Sequence, residues 1–111
     1  MTGVQTCALP IYFIVKKDDK EFKVEVEQKT GWKTNTFPFS THDVPYRKRT
    51  SCADIFIQIN STGTALAMCD MKQVKSSNVI TKNTIYTSNE KFFAVPTSVM
   101  RYYLVRDVET T

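Results

Sequence analysis

Tyr12-Phe-Ile-Val-Lys-Lys-Asp-Asp-Lys-Glu-Phe-Lys-Val-Glu-Val-Glu-Gln-Lys29 is the stretch on which the fold turns. It reads as two strands, Tyr12 to Lys17 and Phe22 to Lys29, around the charged turn Asp18-Asp19-Lys20-Glu21. The second strand alternates, with Phe22, Val24 and Val26 on one side and Lys23, Glu25, Glu27 and Lys29 on the other. That period of two marks extended chain with one apolar face. Folding about the turn sets residue 17 opposite 22 and residue 12 opposite 27. In that register Phe13 and Val15 join Val24 and Val26, while position 12 stands beside Glu27 on the polar face.

Downstream, Gly31 to Arg49 reads as irregular because Pro38, Pro45 and scattered Ser and Thr oppose a long helix. Ala53 to Asn60 is a strand with Ile55, Ile57 and Ile59 on one face and Phe56 on the other. Ser61-Thr62-Gly63 is a three-residue hairpin loop with glycine at the left-handed position, and Thr64 to Cys69 returns. This makes the sequon-like Asn60-Ser61-Thr62 part of a turn. Asp70 and Gln73 have capping-box spacing for a short helix over Met71 to Val74. Thr84 to Thr87 and Phe92 to Val95 look extended, and Ser98 to Arg106 suits either helix or strand. The fold class is α/β or α+β, a small mixed sheet built from two hairpins with short flanking helices.

Composition narrows the class further. Apolar residues at 41% and charged residues at 23% describe a globular chain rather than a disordered one. A net charge of +4 is compatible with a polyanionic partner. No apolar run reaches transmembrane length, so no membrane partner is expected and a cytoplasmic location is. Cys52 and Cys69 are expected as free thiols without a disulfide. His42-Asp43 has no companion metal ligands in sequence, and neither a glycine-rich phosphate loop nor a Ser-His-Asp set is present.

Met1 to Ile11 resembles the translation of a sequencing-library adapter, whose codons from a GTG start give Met-Thr-Gly-Val-Gln-Thr-Cys-Ala-Leu-Pro-Ile. One base is left over and opens the codon of residue 12. Tyrosine needs TAT or TAC there, so the original codon ended in AT or AC and encoded Asp, Asn, His or Tyr. On this reading residues 1–11 are an artefact, and residues 12–111 form a single N-terminally truncated domain.

Glu27 and Lys29 lie two apart on a strand and so share a side. A carboxylate is a hard ligand for Mg²⁺, and a neighbouring ammonium can orient water or stabilise charge developing on phosphorus. A second carboxylate is needed from the adjacent strand. These residues resemble the PD-(D/E)xK nuclease superfamily, whose core sets an Asp near the start of one hairpin strand against a Glu-x-Lys on the next. The resemblance runs in pattern from about Tyr12 to Lys75. It implies a restriction-endonuclease-like core missing its first element, and Mg²⁺-dependent hydrolysis of nucleic-acid phosphodiesters, DNA in the first instance. Glu27 is then the metal ligand and Lys29 the catalytic lysine. Tyr12 departs from the pattern and stands as the remnant of an Asp, which leaves the chain poorly active or inactive.

Arg47, Lys48 and Arg49, with Trp32 and Lys33, are candidates for gripping nucleic-acid phosphates. An alternative site uses Asp54, Asp70 and Lys72, since 54 and 70 become opposite if the second turn centres on Thr62. Against it, Asp54 opens a strand and Asp70 caps a helix. Against the Glu27 site stands a solvated strand edge of alternating charge. The rival function is a non-catalytic nucleic-acid- or protein-binding β-rich domain.

Overall fold

Asp18 and Asp19 both take left-handed backbone, at φ 52° and 67°, and close the first hairpin as a two-residue turn. Such a turn matches the right-handed twist of the strands it joins. The computed structural model describes residues 13–105; the adapter-like segment 1–11 and Tyr12 lie outside the described residues. In chain order the elements are β1 (Phe13–Lys17), β2 (Lys20–Lys29), β3 (Thr41–Pro45), a 3-10 turn (Tyr46–Thr50), β4 (Ile55–Asn60), β5 (Ala65–Asp70), α1 (Met71–Lys75), β6 (Asn78–Lys82), β7 (Glu90–Pro96), a second 3-10 turn (Thr97–Val99) and β8 (Arg101–Leu104).

The tight turn shifts the expected register by two. Phe13 lies opposite Val24, Val15 opposite Phe22 and Lys17 opposite Lys20. A shift of two leaves every side chain on its face, so Phe13 and Val15 still share a side with Val24 and Val26. That side is not the covered one along most of its length. Phe13 is 62% exposed and Val26 40%, whereas Glu25 on the polar side is 1% exposed. β2 is therefore not a solvated edge. It sits between β1 and β4 in a five-stranded sheet of order β1-β2-β4-β5-β8.

β2 and β4 run parallel, with Val24 beside Ile55 and Lys29 beside Asn60, and this pairing joins the two hairpins into one sheet. In the second hairpin Ile55 lies opposite Asp70 and Phe56 opposite Cys69. That is one residue away from the expected pairing of 54 with 70 and of Ile55 with Cys69, and a slip of one exchanges faces. The buried side chain of Asn60 explains the slip. Its Oδ1 accepts from the backbone N–H of Thr64 at 2.9 Å and of Ala65 at 3.1 Å, so the loop runs over four residues, Ser61 to Thr64. Gly63 does take the left-handed position, at φ 73°.

A second sheet, of order β3-β7-β6, packs over the inner face of the first. Two of its strands fall where extended chain was not read: β3 inside the segment expected to be irregular, and β6 at Asn78–Lys82. Thr84 to Thr87 instead closes a turn, Thr84 N–H donating to Thr87 O at 2.8 Å. Within the open stretch from Ser98 to Arg106, Ser98 and Val99 belong to the second 3-10 turn and Arg101–Leu104 form strand β8. Trp32, Val44, Phe56, Met71, Val74, Phe93 and Val95 fill the space between the layers. The result is a small mixed α/β protein, mostly strands in two sheets with few helices. Among the described residues no helix is long and apolar enough to cross a membrane.

Candidate functional site

Three ionisable side chains, Glu25, Glu27 and Lys29, alternate along the covered face of β2 toward its carboxyl-terminal end. Glu25 is deepest. The Lys48 ammonium meets its Oε2, and the Ser51 hydroxyl donates to its Oε1 at 2.8 Å. Ser51 is in turn held by the Ala53 N–H at 3.1 Å. Lys48 lies on the 3-10 turn, whose tight winding brings it over β2.

Glu27 is held from β4. Gln58, fully buried on the side of Phe56, donates its amide to Glu27 Oε1 at 3.0 Å. The other end of that amide, Oε1, lies 2.7 Å from His42 Nδ1 on β3, and His42 Nε2 lies 2.8 Å from the Tyr102 hydroxyl on β8. With Gln58 assigned so that its nitrogen faces the carboxylate, its oxygen can only accept. His42 then carries its proton on Nδ1, and Tyr102 donates to Nε2. Burial pushes the Glu27 carboxyl above its usual range, against the Gln58 hydrogen bond and the charges of Lys48, Lys29 and Arg47. Burial also lowers His42 to about 4, so its imidazole is neutral at physiological pH.

The free side of Glu27 opens on a cleft of about 450 Å³ that Lys29, Asp43 and Glu90 also line. The Lys29 ammonium lies 5.4 Å from the centre of the Phe39 ring. Asp43 is committed to Lys82 and accepts from the Thr41 hydroxyl at 2.9 Å. Glu90 accepts from the Thr84 hydroxyl at 3.1 Å. Among the described residues no three His, Cys, Asp or Glu side chains converge as a metal-holding group. Glu27 with Lys29 thus does not by itself fit a Mg²⁺ centre, and Tyr12, the expected remnant of the second ligand, lies outside the described residues.

The other expected site residues separate into distinct places. Trp32 has no exposed surface and is a core residue, not a nucleic-acid contact; its ring meets Phe37 edge-on at 5.1 Å. Lys33 is exposed on the following loop, and Arg47 is exposed on the 3-10 turn. Arg49 lies 4.7 Å over the Tyr46 ring and donates to the Tyr46 carbonyl at 3.2 Å. Lys48 is removed from any phosphate-gripping run by its pairing with Glu25.

Asp54, Asp70 and Lys72 form no common centre, because the register slip leaves Asp70 opposite Ile55. Asp54 Oδ2 accepts the Lys23 backbone N–H at 2.9 Å, tying β4 to β2. Asp70 starts α1 with a capping box, its N–H donating to Gln73 Oε1 at 3.1 Å, and Lys72 is exposed. Cys69 is a free buried thiol, pushed up to about 11 by burial and the Asp70 charge. Cys52 is disulfide-bonded, so the expectation of two free thiols holds for Cys69 alone.

Glu25, His42, Gln58 and Tyr102 were not singled out from the sequence as site residues. Gln58 and Asn60 did carry a signal, since both fall on the Phe56 side of a strand otherwise rich in isoleucine. Polar residues on such a face need partners when covered. Comparisons with protein-family models, curated proteins and solved structures gave no match.

Proposed function

We propose that this chain is a nuclease-like domain of the PD-(D/E)xK kind that engages nucleic-acid phosphodiesters at the Glu27–Lys29 cleft, with a metal centre that is incomplete among the described residues. One observation carries the reading. Glu27 and Lys29 stand on the same covered face at the end of β2, a central strand bounded by a hairpin partner on one side and a parallel partner on the other, and both open on one cleft. A carboxylate held in place by Gln58 beside a lysine supports this reading, in which the two form the Glu-x-Lys part of the pattern. Hydrolysis needs a further carboxylate, which the sequence suggests at position 12; the first hairpin is two residues tighter than expected, so its register no longer sets that position directly opposite Glu27.

The test introduces Tyr12→Asp and assays nicking of supercoiled plasmid with Mg²⁺. Activity that needs the metal and disappears in Glu27→Gln and Lys29→Ala supports the reading. A restored chain that folds but never nicks, or one whose nicking survives both substitutions, overturns it. A purely binding domain is the second reading, favoured by Arg47 and Arg49, which keep their charge outside the Glu25–Lys48 pair.

A further inference from the structure

A second cleft, of about 430 Å³, lies beside the first and is walled by Phe37, Phe39 and Tyr102 with Asn35, Thr36 and Thr97. Phe39 is 44% exposed and Tyr102 43%, so both offer ring surface to solvent. Surface aromatics of this kind are usually mobile, but these two walls are braced from beneath by one buried residue. The His42 ring stacks on Phe37 at 3.6 Å and 9°, and its Nε2 accepts from the Tyr102 hydroxyl. Phe37 in turn meets Phe39 edge-on at 5.4 Å. The same imidazole reaches Glu27 through Gln58, so one hydrogen-bonded chain sets the aromatic walls and the carboxylate together. Lys29 links the clefts from outside, lining the first and standing over Phe39 in the second. Lys33 is exposed on the loop that supplies Asn35 and Thr36.

We propose that this cleft is a stacking site for an unpaired nucleobase, and that the chain's partner is therefore a single strand or a splayed strand end. The proposal rests on the nucleic-acid reading above. Preset rings beside cations suit a base and its flanking phosphates. A π-face accepts any base, while duplex stacking would hide the bases from the rings. Preorganised walls avoid the ordering cost that free side chains carry on binding.

The experiment is fluorescence anisotropy without metal, comparing a labelled oligothymidine, an abasic deoxyribose-phosphate oligomer of equal length, and the matching duplex. Oligothymidine should bind at least about fivefold more tightly than the abasic oligomer, the lower bound for one base stack. Phe39→Ala should remove that advantage and leave abasic binding unchanged. Phe39→Trp should keep it, with indole fluorescence quenched by oligothymidine and not by the abasic oligomer. Equal binding of the base-bearing and abasic oligomers, equal binding of the duplex, or an equal loss on both oligomers in Phe39→Ala overturns the proposal. Base-dependent binding by a chain that fails the nicking test retires the nuclease reading alone. Nicking without base dependence retires this site alone.

Discussion

Gln58 donates its amide N–H to Glu27 Oε1 at 3.0 Å from a position with no exposed surface of its own. The carboxylate is thereby fixed from the neighbouring strand β4 on the same covered face, and its orientation depends on β3 and β8 through His42 and Tyr102. An amide buried this way must satisfy both ends, because an unmatched polar group inside the protein is far more costly than a made hydrogen bond is favourable.

Gln58→Leu should therefore destabilise the fold by about 1–3 kcal/mol for each polar group left unmatched, read from urea denaturation midpoints. The Gln58 hydrogen bond lowers the Glu27 pKa against the larger effect of burial. Its removal should move that pKa further up, measurable by carbon NMR of the labelled carboxyl. An unchanged Glu27 titration would show that the amide does not act on it.

His42 should make stability depend on pH in a defined window. The folded imidazole resists protonation down to about 4, whereas the unfolded chain takes up that proton near 6.5. The unfolded state thus binds more protons across the window. Stability is full above about 6.5 and falls as pH drops toward 4, by about 3 kcal/mol. Glu27 acts with opposite sign, since its raised pKa favours the fold as pH falls toward the ordinary glutamate value. The contribution of His42 is therefore read as the difference between the parent and His42→Phe. The chain has a single histidine, so its imidazole resonances report the titration directly. A midpoint near 6.5 would contradict the buried, neutral assignment.

Lys48→Met should be among the most damaging surface-looking substitutions. It leaves the Glu25 carboxylate, 1% exposed, without its cation. Breaking one side of a buried pair costs about 3–5 kcal/mol, while replacing both partners is often nearly neutral. Glu25→Gln combined with Lys48→Met should recover most of the loss in thermal denaturation. A double variant no better than the single would place the role of Lys48 elsewhere.

The first turn should be open to improvement. Asp18 and Asp19 both sit at positive φ, where a side chain is strained and Asn-Gly is the preferred pair. Asp18→Asn with Asp19→Gly should raise stability by about 1 kcal/mol, and Asp19→Val should lower it. Denaturation midpoints of the three proteins order themselves accordingly if the two-residue turn is right.

Much of the local architecture was legible. Alternation over Phe22 to Lys29, the glycine at 63 and the Asp70–Gln73 spacing are statements about neighbours within a few residues, and β2, the left-handed Gly63 and the α1 cap all follow from them. Register was less legible. Two adjacent aspartates can occupy a left-handed turn, which draws the first hairpin tighter by two, and the Asn60 side chain replaces ladder bonds in the second. Neither effect has a pattern in hydrophobicity. β3 was hidden for a similar reason, since Thr41–Pro45 is too short and polar to announce itself and becomes a strand by pairing with β7.

Period-two alternation along β2 was enough to say that two unlike faces exist and that Glu27 and Lys29 share one of them. It was not enough to say which face is covered. That outcome belongs to contacts between distant segments: His42, Lys48, Ser51 and Tyr102 converge on the polar side and satisfy it, directly or through Gln58. A charged face can be buried only where such partners meet it, and their meeting is a property of the two packed sheets rather than of any one strand.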